Sequence, residues 1–329
     1  PRDMLICGYG GSEVNTLRLW DAKSPNSLDM FLFSEGAYVK SMEQRTMAEV
    51  ITKVLYPPDE HVEGKILRLK QQYFFVSASA QDIVRKHIKK WGDVRNFAEH
   101  HVIQINDTHP TLIIPELMRL FMDEYGLGWD EAWDIVRRSV AYTNHTVMSE
   151  ALERWPQSLV QQLVPRIWEI MCEINRRWCD YLVARFGQGE KSGRNLIIRD
   201  DQVHMANLCL AACYRINGVS KLHGDILKKD IFKDICEIRG DRFTYVTNGI
   251  DHRRWLAQIN PGLHSLVCEL LGDDSYLLHP EKMGDMARFA DDKYVRERML
   301  SVKRDNKLRF AEFAKRNDSF TLNTDAVMD

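Results

Sequence analysis

Several absences narrow the class of this protein before any motif is found. No run of 18 apolar residues occurs, so no stretch reads as a membrane-spanning helix, and no signal-peptide pattern opens the chain. No excess of positive charge points to nucleic acid, because the formal net charge is −2. The seven cysteines are odd in number and scattered without a C-x-x-C pair, which reads as reduced, structural thiols in a cytoplasmic protein. A glycine-rich nucleotide fingerprint is missing too: Gly8-Tyr9-Gly10-Gly11 meets Glu13 where a third glycine is needed, and no Walker lysine occurs. There are no internal repeats and no low-complexity stretches. There is no initiator methionine either, and PRDMLICGYGG reads as the start of a segment of something longer.

What is present is an ordinary globular balance. Hydrophobic residues make up 44% and charged residues 28% of 329 residues, enough for a sizeable core and room for two domains. The most informative stretch is AYTNHTVMSEALERWP, residues 141–156. Residues 139–143 are short, apolar and β-branched enough for a buried strand, which would expose Asn144 and His145 at its end. Ser149 follows as a helix N-cap, with Glu150 and Glu153 in the first turns, where carboxylates suit the helix dipole. Strand, polar tip, helix is the layout of a ligand-binding edge in an open α/β sheet.

The rest of the chain fits that layout. Residues 13–23 read as a strand with Leu17 and Leu19 on one face, and residues 36–55 and 66–90 as helices joined by the Pro- and charge-rich loop 56–65. Residues 101–105 form a strand with the tip Asn106–His109, and Pro110 opens a helix whose apolar face carries Ile113, Ile114, Leu117, Leu120 and Phe121. A further helix over 130–138 leads into the strand at 139–143 and implies a parallel crossover. Pro165 starts a long helix to about Phe186, followed by a surface loop over 187–195. Residues 203–228 read as two helices split near Asn217–Gly218, and 242–247 as another strand before helices that run to the end.

Three tips, NDTH (106–109), TNH (143–145) and TNG (247–249), would then share one carboxyl edge. Amide, imidazole and carboxylate groups suit a ligand dense in hydroxyls better than an anion. Each residue alone also has a plainer role: Asp107 in an Asx turn, His145 as a satisfied histidine, Trp255 as an anchor beside Arg253 and Arg254. Asp107, His109, His145 and His204 are the right types for a zinc hydrolase, but no two stand in HxxxH spacing.

The ordered set NTLRLW, VLYP, EGKxLRLKQQYF, NDTHPxxIPELMR, AYTNHTVxSEALERWP, MANLC, NGV and TNGIxxRRWLxQxNPGL resembles the glycogen and maltodextrin phosphorylases over essentially the whole chain. That resemblance implies an α/β fold of the two-Rossmann-domain (GT-B) class and a pyridoxal-phosphate-dependent glycosyltransferase. Its reaction is phosphorolysis: inorganic phosphate cleaves a terminal α-1,4-glucosyl unit from glycogen or maltodextrin and releases glucose 1-phosphate. It further implies a cytoplasmic homodimer with neither nucleic acid nor membrane as partner.

Residue by residue, His145, Asp107 and Asp59 match catalytic-site positions: the histidine that contacts the glucosyl unit, the wall of the adjoining pocket, and the gate loop. Asn248, Asn106, His109 and Glu150 match sugar-binding positions, and Trp255 matches a tryptophan lying against the cofactor phosphate. Glu60 and His61 depart from the family's gate loop, Asp251 and His252 replace its Thr-Pro, and Arg2 stands where a tyrosine is usual. Arg85 and Lys86 match a regulatory nucleotide site but are as readily a solvated helix face.

The Schiff-base lysine motif (GTGNMK-like) and the basic KRxHEYKR-like motif are not in these residues, and 321–329 looks like the lead-in to the latter. The resemblance therefore implies the middle of a phosphorylase, with residues 1–248 from its N-terminal glucan-binding domain and 249–329 opening its C-terminal cofactor domain. Alone, the chain is expected to be inactive and to hold no cofactor covalently. A non-catalytic α-glucan-binding or interaction module is the alternative.

Overall fold

A computed structural model describes residues 1–25 and 29–327, so Met328 and Asp329 of the stretch 321–329 lie outside the described residues. Residue contacts divide the chain into two units, residues 1–4 with 17–248 and residues 5–16 with 249–329. The strands among the described residues are β1 (Arg2–Cys7), β2 (Val14–Leu19), β3 (Ile103–Asn106), β4 (Val140–Thr143), β5 (Arg154–Pro156), β6 (Ile198–Arg199), β7 (Gln202–His204), β8 (Arg215–Gly218) and β9 (Phe243–Tyr245). β1 and β2 form a two-stranded sheet, and Leu17 and Leu19 are exposed on it.

The first unit is built on a four-stranded sheet in the order β3-β4-β8-β9, parallel throughout. Helices Ile113–Arg119 and Trp129–Ser139 connect β3 to β4, which is the crossover that parallel pairing demands. Ile105, Val140, Tyr142 and Ile216 are fully buried on the sheet, against Ile114, Leu117, Phe121 and Ile135 from the helices. The mixed α/β architecture with a parallel sheet is the one that the family resemblance implied.

The long helix begins at Pro165 and ends at Phe186, with Ile167, Ile170, Ile174 and Trp178 buried along one stripe. Its first position tolerates proline because that N–H has no partner within the helix. The helix Val62–Trp91 begins inside the expected loop. Gly64 permits this, because a Cβ there would lie 1.8 Å from the Pro58 carbonyl oxygen. Only glycine lets the 56–61 segment lie against the helix.

Four local expectations are corrected. Arg215–Gly218 is a strand, not a break between helices; with one apolar residue it carries no readable pattern, and its identity comes from pairing with β4 on one side and β9 on the other. No helix starts at Ser149: residues 149–151 make a single 3-10 turn, the chain then enters β5, and the next helix starts at Gln157. Pairing of Trp155 with Val203, and burial of the indole, outweigh the local cap signal. Pro110 is not the first helical residue either. It lies in a turn whose carbonyl accepts from the Ile113 N–H, and the helix runs from Ile113. The 187–195 loop contains a short helix, Glu190–Arg194.

In the second unit, Asn260 caps the helix Pro261–Leu271 by accepting from the Leu263 N–H, and Asp292 caps Lys293–Asp318 in the same way. Leu266, Val267, Tyr276 and Val295 form its buried centre. The β1–β2 turn packs here, with Gly10 against Leu278 and the Arg253 guanidinium 5.4 Å from the Tyr9 ring centroid. Among the described residues no helix is long and apolar enough to cross a membrane.

Candidate functional site

The parallel sheet brings the ends of β3, β4, β8 and β9 to one edge. Thr143 Oγ1 accepts from Gln104 Nε2 at 2.7 Å and donates to Asn217 Oδ1 at 3.0 Å, which ties the first three strands together near that edge. Asn144 is not exposed as expected but fully buried. Its amide donates to the Tyr142 hydroxyl at 2.9 Å, its oxygen accepts from the Thr146 N–H, and its own N–H donates to the Asn217 carbonyl. It fixes the turn that carries His145. His145 is exposed, and its Nε2 donates to Asn106 Oδ1 at 2.6 Å, which orients the ring at the sheet edge.

Asp107 adopts a left-handed backbone, φ 62°, directly after β3. Its N–H bonds the Thr143 carbonyl and its carboxylate accepts from the Thr108 N–H at 2.7 Å, an arrangement that Asp tolerates better than β-branched residues. Beside it is a cavity of about 400 Å³ lined by Asp59, Arg68, Asp107, His109, Glu153 and Trp155 among others. A neighbouring cavity of about 300 Å³ has Tyr56, Gln72, Asn106 and His109 on its walls.

Charge in the first cavity is organised by Glu153. Its carboxylate accepts from Gln72 Nε2 at 2.8 Å and lies 3.6 Å from His109 Nδ1 and 3.8 Å from the Arg68 guanidinium, ion-pair separations rather than hydrogen bonds. Burial pushes Glu153 up, but His109, Gln72 and Arg68 together hold it below the usual carboxylate range. Glu153 in turn raises His109 above its ordinary value, against desolvation. Arg68 also grips Asp59 at 2.8 Å, so the gate-loop carboxylate is tied to this network.

The residues named from the sequence therefore separate into groups. Asn106 and His145 meet directly, and Asp59, Asp107 and His109 line one cavity. Asn248 is exposed just beyond β9, its N–H bonded to the Val219 carbonyl at 3.3 Å. Glu150 is exposed and does not line the cavity, and its carboxylate accepts a long 3.4 Å contact from Ser149 Oγ. Trp255 belongs to the second unit, 61% exposed, with the Arg254 guanidinium 5.7 Å from its ring centroid. Among the described residues no group of three or more His, Cys, Asp or Glu is placed to hold a metal ion, so the zinc set does not assemble.

Arg68, Gln72, Glu153, Asn217 and His223 were not singled out for these positions. His223, buried in the helix after β8, accepts from the Val219 N–H through Nδ1 and meets the Thr146 carbonyl through Nε2, clasping two tips together. Gln71 and Gln72 carried a usable signal, as adjacent amides within an otherwise amphipathic helix.

The sequence model of the carbohydrate phosphorylases matches residues 1–329. The chain belongs to the carbohydrate phosphorylase family. Liver-form glycogen phosphorylase of Homo sapiens is 42% identical over 342 residues, covering all of this chain and 40% of that protein. The muscle form of Homo sapiens is 42% identical over 341 residues with the same coverage, and the muscle form of Oryctolagus cuniculus is 41% identical. The chain thus spans about 40% of the length of these glycogen phosphorylases. Its α/β fold is correspondingly a part of the two-Rossmann-domain phosphorylase architecture.

Proposed function

We propose that this chain supplies the sugar-side half of an α-glucan phosphorylase site, in a whole protein that converts glycogen or maltodextrin and phosphate to glucose 1-phosphate. The observation that carries this reading is the His145–Asn106 hydrogen bond at the open sheet edge, next to the cavity lined by Asp59, Asp107 and His109. His145 and Asn106, with Asn248 and Glu150, offer neutral and anionic acceptors and amide donors matched to sugar hydroxyls. Asp107 and Asp59 lend negative charge near a glucosyl unit that becomes cationic as its bond to the departing chain breaks. His109, braced by Glu153, walls the adjoining pocket.

Residues 1–248 are then part of the glucan-binding domain and 249–329 the opening of the cofactor domain. Pyridoxal phosphate fits what is present along one edge only: the exposed Trp255 indole and the Arg254 cation suit a phosphate group, while the lysine motif for covalent attachment is not among these residues. When bound, the cofactor supplies a phosphate able to hold or release a proton near neutral pH. A cytoplasmic homodimer belongs to the same reading.

The test is phosphorolysis by the complete reading frame that contains these residues. Phosphate-dependent release of glucose 1-phosphate from maltodextrin is expected, with kcat lowered about 10²–10³-fold by His145→Ala. The 329-residue chain alone is expected to release none. A complete frame without phosphorolysis would leave a non-catalytic glucan-binding module instead.

A further inference from the structure

A separate cavity of about 470 Å³ is lined by Trp129, Trp133, Arg137, Trp178, Tyr181 and Arg239, and also by the ion-paired Arg176, Arg177 and Asp180. Its charge is unbalanced. Arg239 is only 7% exposed, yet among the described residues no carboxylate pairs with it, and its Nε donates to the Tyr181 hydroxyl at 3.3 Å. Its Nη1 donates to the Leu210 and Ala211 carbonyls at 3.0 and 2.9 Å, and its guanidinium carbon lies 4.6 and 4.5 Å from the ring centroids of Trp178 and Tyr181. Arg242 donates to the Cys213 carbonyl and is attracted by Asp241, with no ion pair among the described residues. Arg137 has no hydrogen-bond or ion-pair partner among the described residues, and its Nε is buried without one.

Burial, with repulsion from Arg242 and Arg137, pulls Arg239 down to about 10. The acids nearby are already engaged: Glu173 with Arg176 and Arg177, Asp130 with Arg177, and Asp180 with Arg176. Those pairs set three carboxylates against two arginines, and with Asp241 near Arg242 and about half a negative charge from the helix-end carbonyls they offset only part of the charge of Arg137, Arg239 and Arg242. A buried cation without a paired carboxylate is costly, so Arg239, with the unpaired Arg137 beside it, favours an anion here. A second donor without a partner, the buried Trp129 Nε1, stands in the same cavity.

We propose that this cavity binds a small oxyanion carried on a flat apolar body, the chemistry of an aryl phosphate. The oxyanion meets Arg137 and the Trp129 N–H, with the Arg239 charge behind them, and the Trp133 indole holds the flat body, since Trp178 and Tyr181 stack on each other beneath Arg239. Arginine suits this because its fork presents paired donors to phosphate oxygens. This goes beyond the sugar-side reading and stands or falls independently of it.

The test titrates the 329-residue chain with phenyl phosphate, and with phenol and inorganic phosphate as its two halves, following tryptophan fluorescence and calorimetric heat. Saturable binding of phenyl phosphate with Kd of about 1 mM or tighter is expected, with each half weaker. Arg137→Gln should weaken it at least about tenfold. Trp133→Leu should remove the advantage of phenyl phosphate over inorganic phosphate, and this variant decides the matter if Arg137→Gln fails to fold. Absence of saturation, or binding unchanged in the folded variants, overturns the proposal.

Discussion

At the scale of single residues, the site depends on side chains that hold one another rather than on any one group. Asn144 and His145 are adjacent in sequence and opposite in role: Asn144 is buried and spends its amide on Tyr142 and Thr146, while His145 points its Nε2 to Asn106 at the surface. Asn144→Ala should cost about 1–3 kcal/mol in denaturant unfolding, because a buried hydroxyl and a turn N–H lose their partner; a loss below a few tenths would contradict this account.

The Glu153–His109 pair gives a pH dependence. The folded value of His109 is raised above 6.5, so its contribution is complete below pH 6.5 and lost as pH rises through the raised value. Glu153 is held below 4.5, so its contribution is present above pH 4.5 and lost as pH falls through the depressed value. The pair stabilises most between those limits. Glu153→Gln should return the NMR titration midpoint of His109 toward 6.5, and an unmoved midpoint would show that another group holds it.

At the scale of elements, two contacts fix helices in place. Glu116, fully buried, accepts from Ser77 at 2.7 Å, from Tyr73 at 3.0 Å and from Arg119 at 2.8 and 2.9 Å, joining the helices Val62–Trp91 and Ile113–Arg119. Burial and this carboxylate push the Tyr73 hydroxyl up to about 12. Glu116→Ala should destabilise by about 2–3 kcal/mol, since it leaves two hydroxyls without their acceptor and Arg119 with Glu124 as its remaining carboxylate partner at 3.0 Å. Gly64→Ala tests the other contact. It should displace the 56–61 segment and lower protection of its amides from hydrogen exchange, leaving the helix content intact; unchanged protection would mean the segment is held elsewhere.

The long helices were legible, and so were the strands β3, β4 and β9. Pro165–Phe186 shows its buried stripe at helical spacing, and its start is marked by a proline. β8 and β5 were not legible, because three or four residues with one apolar side chain have no period to detect.

At the scale of the whole molecule, the two units have separate buried centres, one around the parallel sheet and one around Leu266, Val267, Tyr276 and Val295. Thermal unfolding of the chain should therefore depart from a single transition, with calorimetric enthalpy exceeding the van't Hoff value. Equality of the two would show that the units unfold together. The second unit also exposes large apolar side chains, among them Tyr294, Leu300, Phe310 and Phe313 on its long helix.

The order of the phosphorylase blocks, the apolar periodicity of the helices and the alternation of strand, polar tip and helix were all determined by sequence, because each is a local pattern that survives without neighbours. Asn106, Asp107, His109 and His145 could be named in that way. What only the tertiary structure decided is which of those tips are open and what holds them. Glu153 reads as a helix-start carboxylate until pairing of β5 with β7 takes the chain elsewhere and leaves it beside His109. Strand pairing and burial are contacts between residues far apart in sequence, so they override local caps and turn signals that a linear reading weighs alone.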